Sequence, residues 1–409
     1  MKTARTTATK LITKQTFDDW RVLSVAIYMA LLGYAVLVGI PVISTAWVEQ
    51  LQFTEIQVGR LASADLGGLA LGSIIASFLI RRIDRWQLTL LAIALAASGN
   101  FFCLYYLDYE SVLILRLIAG TGSGIYTAIA IAMLGATSNP ARSFNILLFA
   151  FAFTQAAELR LLPEMTMKQI YLLFMVLYLL TILLLKWIPK TGLSDAELTE
   201  SEINTMAAKQ PIINLIPWLI LTAIFFTYIC IGAYWTYIEL ANIDAGLDRE
   251  YINTILVWAS FMSIIGCVFA TIVSHRFGML KPLILALCSL AGVVSLMIGD
   301  ITNSKFFISL FLLNFLWIFI DVYQMGSMSI IDKSSRFVTL MPAAQGAGQI
   351  FGPLFASYIL ERQLGYHGVF IMCSVAALCA MLVYAYIYYR IHRQYPALTE
   401  MSDDMTGAI

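Results

Sequence analysis

The chain reads as an all-α integral membrane protein, and three properties of the sequence point there. Sixty per cent of its 409 residues are apolar and only 12% are charged, with a mean hydropathy of +0.82; an ordinary soluble domain carries about 25% charged residues. The apolar residues gather into runs of about 20, the length that crosses a bilayer as a helix. Between the runs lies short polar punctuation. Twenty-five basic and 25 acidic residues cancel, so no basic face suited to nucleic acid stands out. Three histidines and six scattered cysteines supply little material for a metal or thiol enzyme.

The first 21 residues, MKTARTTATKLITKQTFDDWR, are basic and polar with no apolar core, which predicts a cytosolic tail and not a cleaved signal peptide. Apolar runs follow at 22–43, 57–80, 88–107, 111–136, 144–162 and 169–188. The polar segment 189–212 interrupts them, and they resume at 213–238, 252–274, 282–300, 306–331, 337–360 and 368–389. The expected organisation is twelve transmembrane helices in two six-helix bundles, 22–188 and 213–389. A cytosolic linker, 189–212, joins them, and a cytosolic tail, 390–409, follows the second. In the linker the spacing of Ser194 and Glu197 fits a capping box, so it reads either as a short surface helix or as a flexible tether.

Lysine and arginine set the orientation. Placing the N-terminus and every second connection on one side collects eighteen of them there and leaves five on the other. Both termini are therefore expected in the cytoplasm, which requires an even number of crossings. The remaining two, Arg116 and Arg160, fall within apolar runs.

The two halves repeat. The segment after the second run, RRIDRWQL, corresponds to SHRFGMLKP after the eighth at an offset of 191 residues, and Gln155 corresponds to Gln349 at an offset of 194. A near-constant offset suggests a parallel repeat of two bundles. The first of these segments keeps Asp84 and Arg85 of a G-x-x-x-D-R-x-G-R-[RK] pattern, with Ile80 and Gln87 in the glycine places; the second keeps Arg276 and Gly278, with His275 in the acidic place. The fourth run contains R-x-x-x-G-x-x-x-G at Arg116, Gly120 and Gly124, and the eleventh contains G-x-x-x-G-P at Gly348, Gly352 and Pro353. On these motifs the chain resembles the major facilitator superfamily over essentially its whole length. The resemblance implies a secondary active transporter working by alternating access, with Asp84, Arg85 and Arg276 in cytoplasmic gating loops and a central cavity lined by the first, fourth, seventh and tenth helices. The fifth run, FAFTQAAELRLLP, lacks the glycine–proline motif associated with antiporters, so the direction of transport stays open.

A charge within a bilayer costs several kcal/mol, which makes each such residue a functional candidate. Asp65, Arg116, Glu158, Arg160 and Asp321 qualify. At 1.5 Å per residue, Asp65 lies roughly 12 Å, Arg116 roughly 8 Å and Glu158 roughly 6 Å from the outer ends of their runs. A cluster of the two carboxylates with Arg116 is thus expected, serving either to couple protons through a pair that makes and breaks, or to hold three helices together. Arg160 points away from Glu158 and is expected to snorkel. Asp321 lies roughly 22 Å along the tenth run. It shares a helical face with Asn314, Trp317, Gln324 and Met325, a face expected to line the cavity. Tyr34, Gln155, Tyr228 and Trp235, with Glu239 on the stripe of Tyr228, complete the expected cavity wall. The paired glycines at 68 and 72, 120 and 124, and 348 and 352 are read as close helix packing. The six cysteines are read as small packing residues.

The sequence therefore predicts a multi-pass protein of the cytoplasmic membrane that moves a small organic solute, coupled to protons and acting as a monomer in the lipid bilayer. No cofactor, metal or nucleic acid is expected, and no nucleotide-binding motif points to ATP. An organic anion would suit Arg116, and a lipophilic cation would suit Asp321 and Glu239; drug efflux by antiport is the alternative direction. An intramembrane enzyme needs paired catalytic groups at one depth, which His275, His367 and His392 do not supply.

Overall fold

A computed structural model of the chain describes residues 17–80, 82–189, 215–277, 280–331, 337 and 340–394. The expected linker with its Ser194–Glu197 capping box, most of both tails, and Gly278 lie outside these residues. So do the side chains of His275 and Arg276. The regular elements among the described residues are all helices. The chain divides into two compact units, Met1–Ser201 and Glu202–Ile409.

The first unit contains α1 (Trp20–Leu51), α2 (Glu55–Leu79), α3 (Arg85–Phe102), α4 (Tyr109–Gly135), α5 (Pro140–Leu161) and α6 (Met167–Leu184). Side-chain caps start five of the six, α3 being the exception. Asp19 caps α1 by accepting from the Arg21 N–H, Asp108 caps α4 by accepting from Ser111, and Asn139 precedes Pro140 at the start of α5. Thr54 with Gln57, and Thr166 with Gln169, form reciprocal capping boxes at α2 and α6. In α1 the helix passes through Pro41 and continues to Leu51, eight residues beyond the end of its apolar run, before Gln52 in a left-handed conformation ends it.

Two kinds of contact hold this unit together. Gly68 and Gly72 of α2 lie against Gly120 and Gly124 of α4 so closely that a Cβ at Gly72 would collide with the Thr121 carbonyl, and one at Gly124 with the Leu69 carbonyl. Apolar burial gives little preference among partners when lipid is as apolar as the core, so close backbone approach selects this pair of helices. Hydroxyls then pin α1, α4 and α6: Tyr178 bonds Ser123 at 2.7 Å and donates to the Leu32 carbonyl, and Tyr126 bonds Thr181 at 2.6 Å.

The second unit contains α7 (Leu215–Asp244), α8a (Arg249–Ala259), α8b (Met262–Phe277), α9 (Leu280–Ser295), α10 (Asn303–Ile331), α11 (Met341–Glu361) and α12 (Gly365–Gln394). The single run expected at 252–274 is therefore interrupted at Ser260 and Phe261. Gly348 and Gly352 of α11 meet the carbonyls of Phe225 and Ile229 on α7, and Tyr234 bonds Ser309, which donates to the Val293 carbonyl, tying α7, α10 and α9. Among the described residues nine helical segments are long and apolar enough to cross a membrane, and α9 is a shorter apolar helix.

Candidate functional site

In the first unit the charges singled out in the sequence converge in part. Asp65 on α2 and Arg116 on α4 form an ion pair at 3.3 Å with both side chains buried. The second terminal nitrogen of Arg116 donates to Asn100 Oδ1 on α3 at 2.9 Å, and its guanidinium lies 5.1 Å from the centre of the Tyr171 ring on α6. The Tyr171 hydroxyl in turn accepts from the Trp47 indole of α1 at 2.9 Å. Five helices thus meet around one guanidinium whose Nε has no hydrogen-bond partner. Asn100, Tyr171 and Trp47 do not stand out in the sequence as members of this site. Asn100 carried a signal, a polar amide inside an apolar run, but a search for charges passes over it.

Glu158 does not join this cluster, contrary to the expectation from depth alone. It lies on α5 against α1, where its Oε2 faces Gly39 and has no hydrogen-bond partner. Equal depth does not bring two helices side by side; the glycine seam assigns α4 to α2, and α5 packs chiefly on α1. Arg160 pairs with Glu164 at 2.7 Å on an exposed surface. Tyr34 sits half-buried with its ring edge-on to Phe151 of α5, and Gln155 is buried.

In the second unit α7 and α10 bring four expected residues together. The Tyr228 hydroxyl donates toward both carboxylate oxygens of Asp321, at 2.8 and 2.7 Å, and the Trp317 indole N–H approaches the same hydroxyl at 3.5 Å. Trp235, two turns from Tyr228, packs edge-to-face on Trp317 at 6.0 Å. Gln324 donates to Thr227 at 2.9 Å, leaving its Oε1 unpartnered, and Asn314 donates to the Leu310 carbonyl. The expected single face is divided: Asn314 and Gln324 are buried in the bundle, Asp321 and Trp317 are half-buried, and Met325 is exposed. At 3.6 residues per turn the five positions project within about 100° of one another, so the division comes from what packs against each position and not from their spacing.

The expected gating segment also differs. Arg85 opens α3 and is not a loop residue; its side chain is buried with the guanidinium 4.9 Å from the Phe17 ring, while Asp84 occupies the N-cap position. Arg276 likewise belongs to the last turn of α8b. Among the cysteines, 103, 230 and 373 are buried as expected of packing residues, whereas Cys288 is exposed.

Two units of long apolar helices, with glycine-mediated seams and a few buried charges, define a multi-pass integral membrane protein. The chain belongs to the Major Facilitator Superfamily, whose family model matches residues 22–337. It is a secondary transporter that works by alternating access, consistent with residence in a cytoplasmic membrane. No curated protein sequence matches it. The fold is similar to that of the nucleoside transporter NupG, at a TM-score of 0.67 and 10% identity over 90% of this chain and 98% of that one; a point mutant of NupG gives 0.69 and 9% over 90% and 99%. It is also similar to a D-xylose–proton symporter, at 0.66 and 16% over 89% and 97%.

Proposed function

We propose that the chain spans the membrane twelve times as two sets of six helices with both termini in the cytoplasm, and that it couples solute movement to protons at Asp65. Asp84, Arg85 and Arg276 are assigned to the cytoplasmic gate, and the protein acts as a monomer. The observation that supports the coupling is the composition of the Arg116 site. Arg116 is bound by two acceptors of different kinds, one that titrates and one that does not. When Asp65 takes a proton, Asn100 and the Tyr171 ring still hold the guanidinium, so the pair can open without the arginine leaving its place. A single 3.3 Å contact in a buried site is also easier to break than a bidentate one. The similarity to a proton symporter agrees with this reading.

Purified protein in liposomes tests it. With a pH gradient imposed, wild-type protein accumulates solute, whereas Asp65→Asn loses accumulation but retains solute exchange at equal pH. Full accumulation in Asp65→Asn would refute the assignment. Glu158 supports a second reading, because an unpartnered carboxyl oxygen inside a helical bundle needs either a proton or a solute donor. If Glu158→Gln alone loses accumulation, the carrier is Glu158.

A further inference from the structure

The two buried charge sites differ in what they can still accept. Arg116 is committed to Asp65 and Asn100 and is only 1% exposed, so it offers little to a solute anion. Asp321 is half-buried and, among the described residues, makes no ion pair. An ionised carboxylate has about four acceptor positions, and here both oxygens share the one Tyr228 hydrogen. The Trp317 N–H approaches the Tyr228 oxygen and also interacts with the Asp321 carboxylate, so the Tyr228 and Trp317 donors are both directed within the cluster. The indoles of Trp235 and Trp317 lie beside the carboxylate on the same pair of helices.

Such a cluster has acceptor capacity in excess of its donors, an uncompensated negative group, and electron-rich aromatic rings. A carboxylate that stays ionised in a low-dielectric site requires a counter-charge. Aromatic faces also attract cations, by about 0.5–2 kcal/mol according to desolvation. An anionic solute would meet a like charge, and a neutral one would leave the carboxylate uncompensated. We propose that Asp321, with Tyr228, Trp235 and Trp317, forms the recognition site for an organic cation that carries an aromatic body, its ammonium or amidinium group supplying the charge and the donors that this cluster lacks. The proposal rests on the transporter reading but not on Asp65 as the proton carrier.

The test is calorimetric titration of the full chain in lipid nanodiscs at one pH, with no gradient. Three probes of matched shape are used: phenethylammonium, 2-phenylethanol and phenylpropionate. Wild-type protein is expected to bind the ammonium at least about tenfold more tightly than either of the others. Asp321→Asn is expected to abolish that preference, and Tyr228→Phe to weaken ammonium binding several-fold while leaving the preference in place. Equal binding of the alcohol or the carboxylate overturns the proposal, as does binding of none of the three or an Asn variant that still prefers the cation. The wild-type selectivity needs no variant, so a misfolded mutant does not remove the test. Because no gradient is present, loss of proton coupling leaves this result untouched. Conversely, uphill transport of an uncharged solute alone would keep the proposed function and overturn the cation site.

Discussion

At the scale of single residues, the behaviour of Arg116 depends on neighbours that carry no charge. Asn100 holds one terminal nitrogen, and its own amide is fixed by donating to the Ala96 carbonyl at 2.8 Å. Removing it leaves a buried cationic donor unpaired, which costs about 1–3 kcal/mol. Asn100→Ala is therefore expected to lower the melting temperature of the purified protein, and an unchanged melting temperature would show that Arg116 does not rely on it. Asp65→Ala removes the counter-charge and is expected to cost more, about 3–5 kcal/mol, because a buried charge is stranded. Thermal denaturation in a single detergent ranks the two. Asp65, Arg116, Glu158 and Asp321 were all legible in the sequence, since a charge inside an apolar run stands out against its surroundings. Their partners were not, because contact between helices is decided by packing that a one-dimensional pattern does not encode. Tyr228 and Asp321 are 93 positions apart, yet the one donates a hydrogen bond to the other.

Among the elements, the α2–α4 seam makes the sharpest prediction. Gly72 and Gly124 face carbonyl oxygens of the partner backbone, which cannot move aside as a side chain can. Gly72→Ala or Gly124→Ala forces the helices apart and is expected to destabilise by about 1–3 kcal/mol or more. A Cβ at Gly292 of α9 would meet nothing within 4 Å, so Gly292→Ala should be neutral or stabilising by about 0.5–1 kcal/mol. Equal melting temperatures for the three variants would remove the seam as the pairing device.

The glycine spacing showed in the sequence; the interruption of the eighth span did not. No proline or glycine occupies 260–261. Instead the Ser260 hydroxyl donates to the Leu256 carbonyl and the Ser263 hydroxyl to the Ser260 carbonyl, so side chains compete for the backbone groups that would continue the helix. The α4 cap gives a pH-dependent expectation. The Ser111 backbone N–H holds the exposed Asp108 carboxyl below its usual range. A folded-state value below the unfolded one adds stability above the unfolded value and loses it as pH falls through the folded one. The difference in melting temperature between wild type and Asp108→Ala should accordingly be present at neutral pH and vanish in acid.

At the scale of the whole molecule, the prediction concerns topology. Lysines and arginines divide eighteen to five between alternate connections. Reporters fused to either end should both be active only in the cytoplasm, and opposite locations would require an odd number of crossings. The sequence by itself determined that the chain is a membrane protein of helices, where most of those helices run, and which few charges they carry. Each of these follows from the cost of burying polar groups in lipid, a property of individual residues and of short runs. Only the tertiary structure decided that Arg116 takes Asp65 and Asn100 while Glu158 stands apart against α1, and that Asp321 is met by Tyr228 and two indoles. Those outcomes depend on which helix faces touch. Inside a bilayer that choice is made by close glycine contacts and hydroxyl bonds between distant parts of the chain, because apolar surface alone gains little by choosing one helix over another.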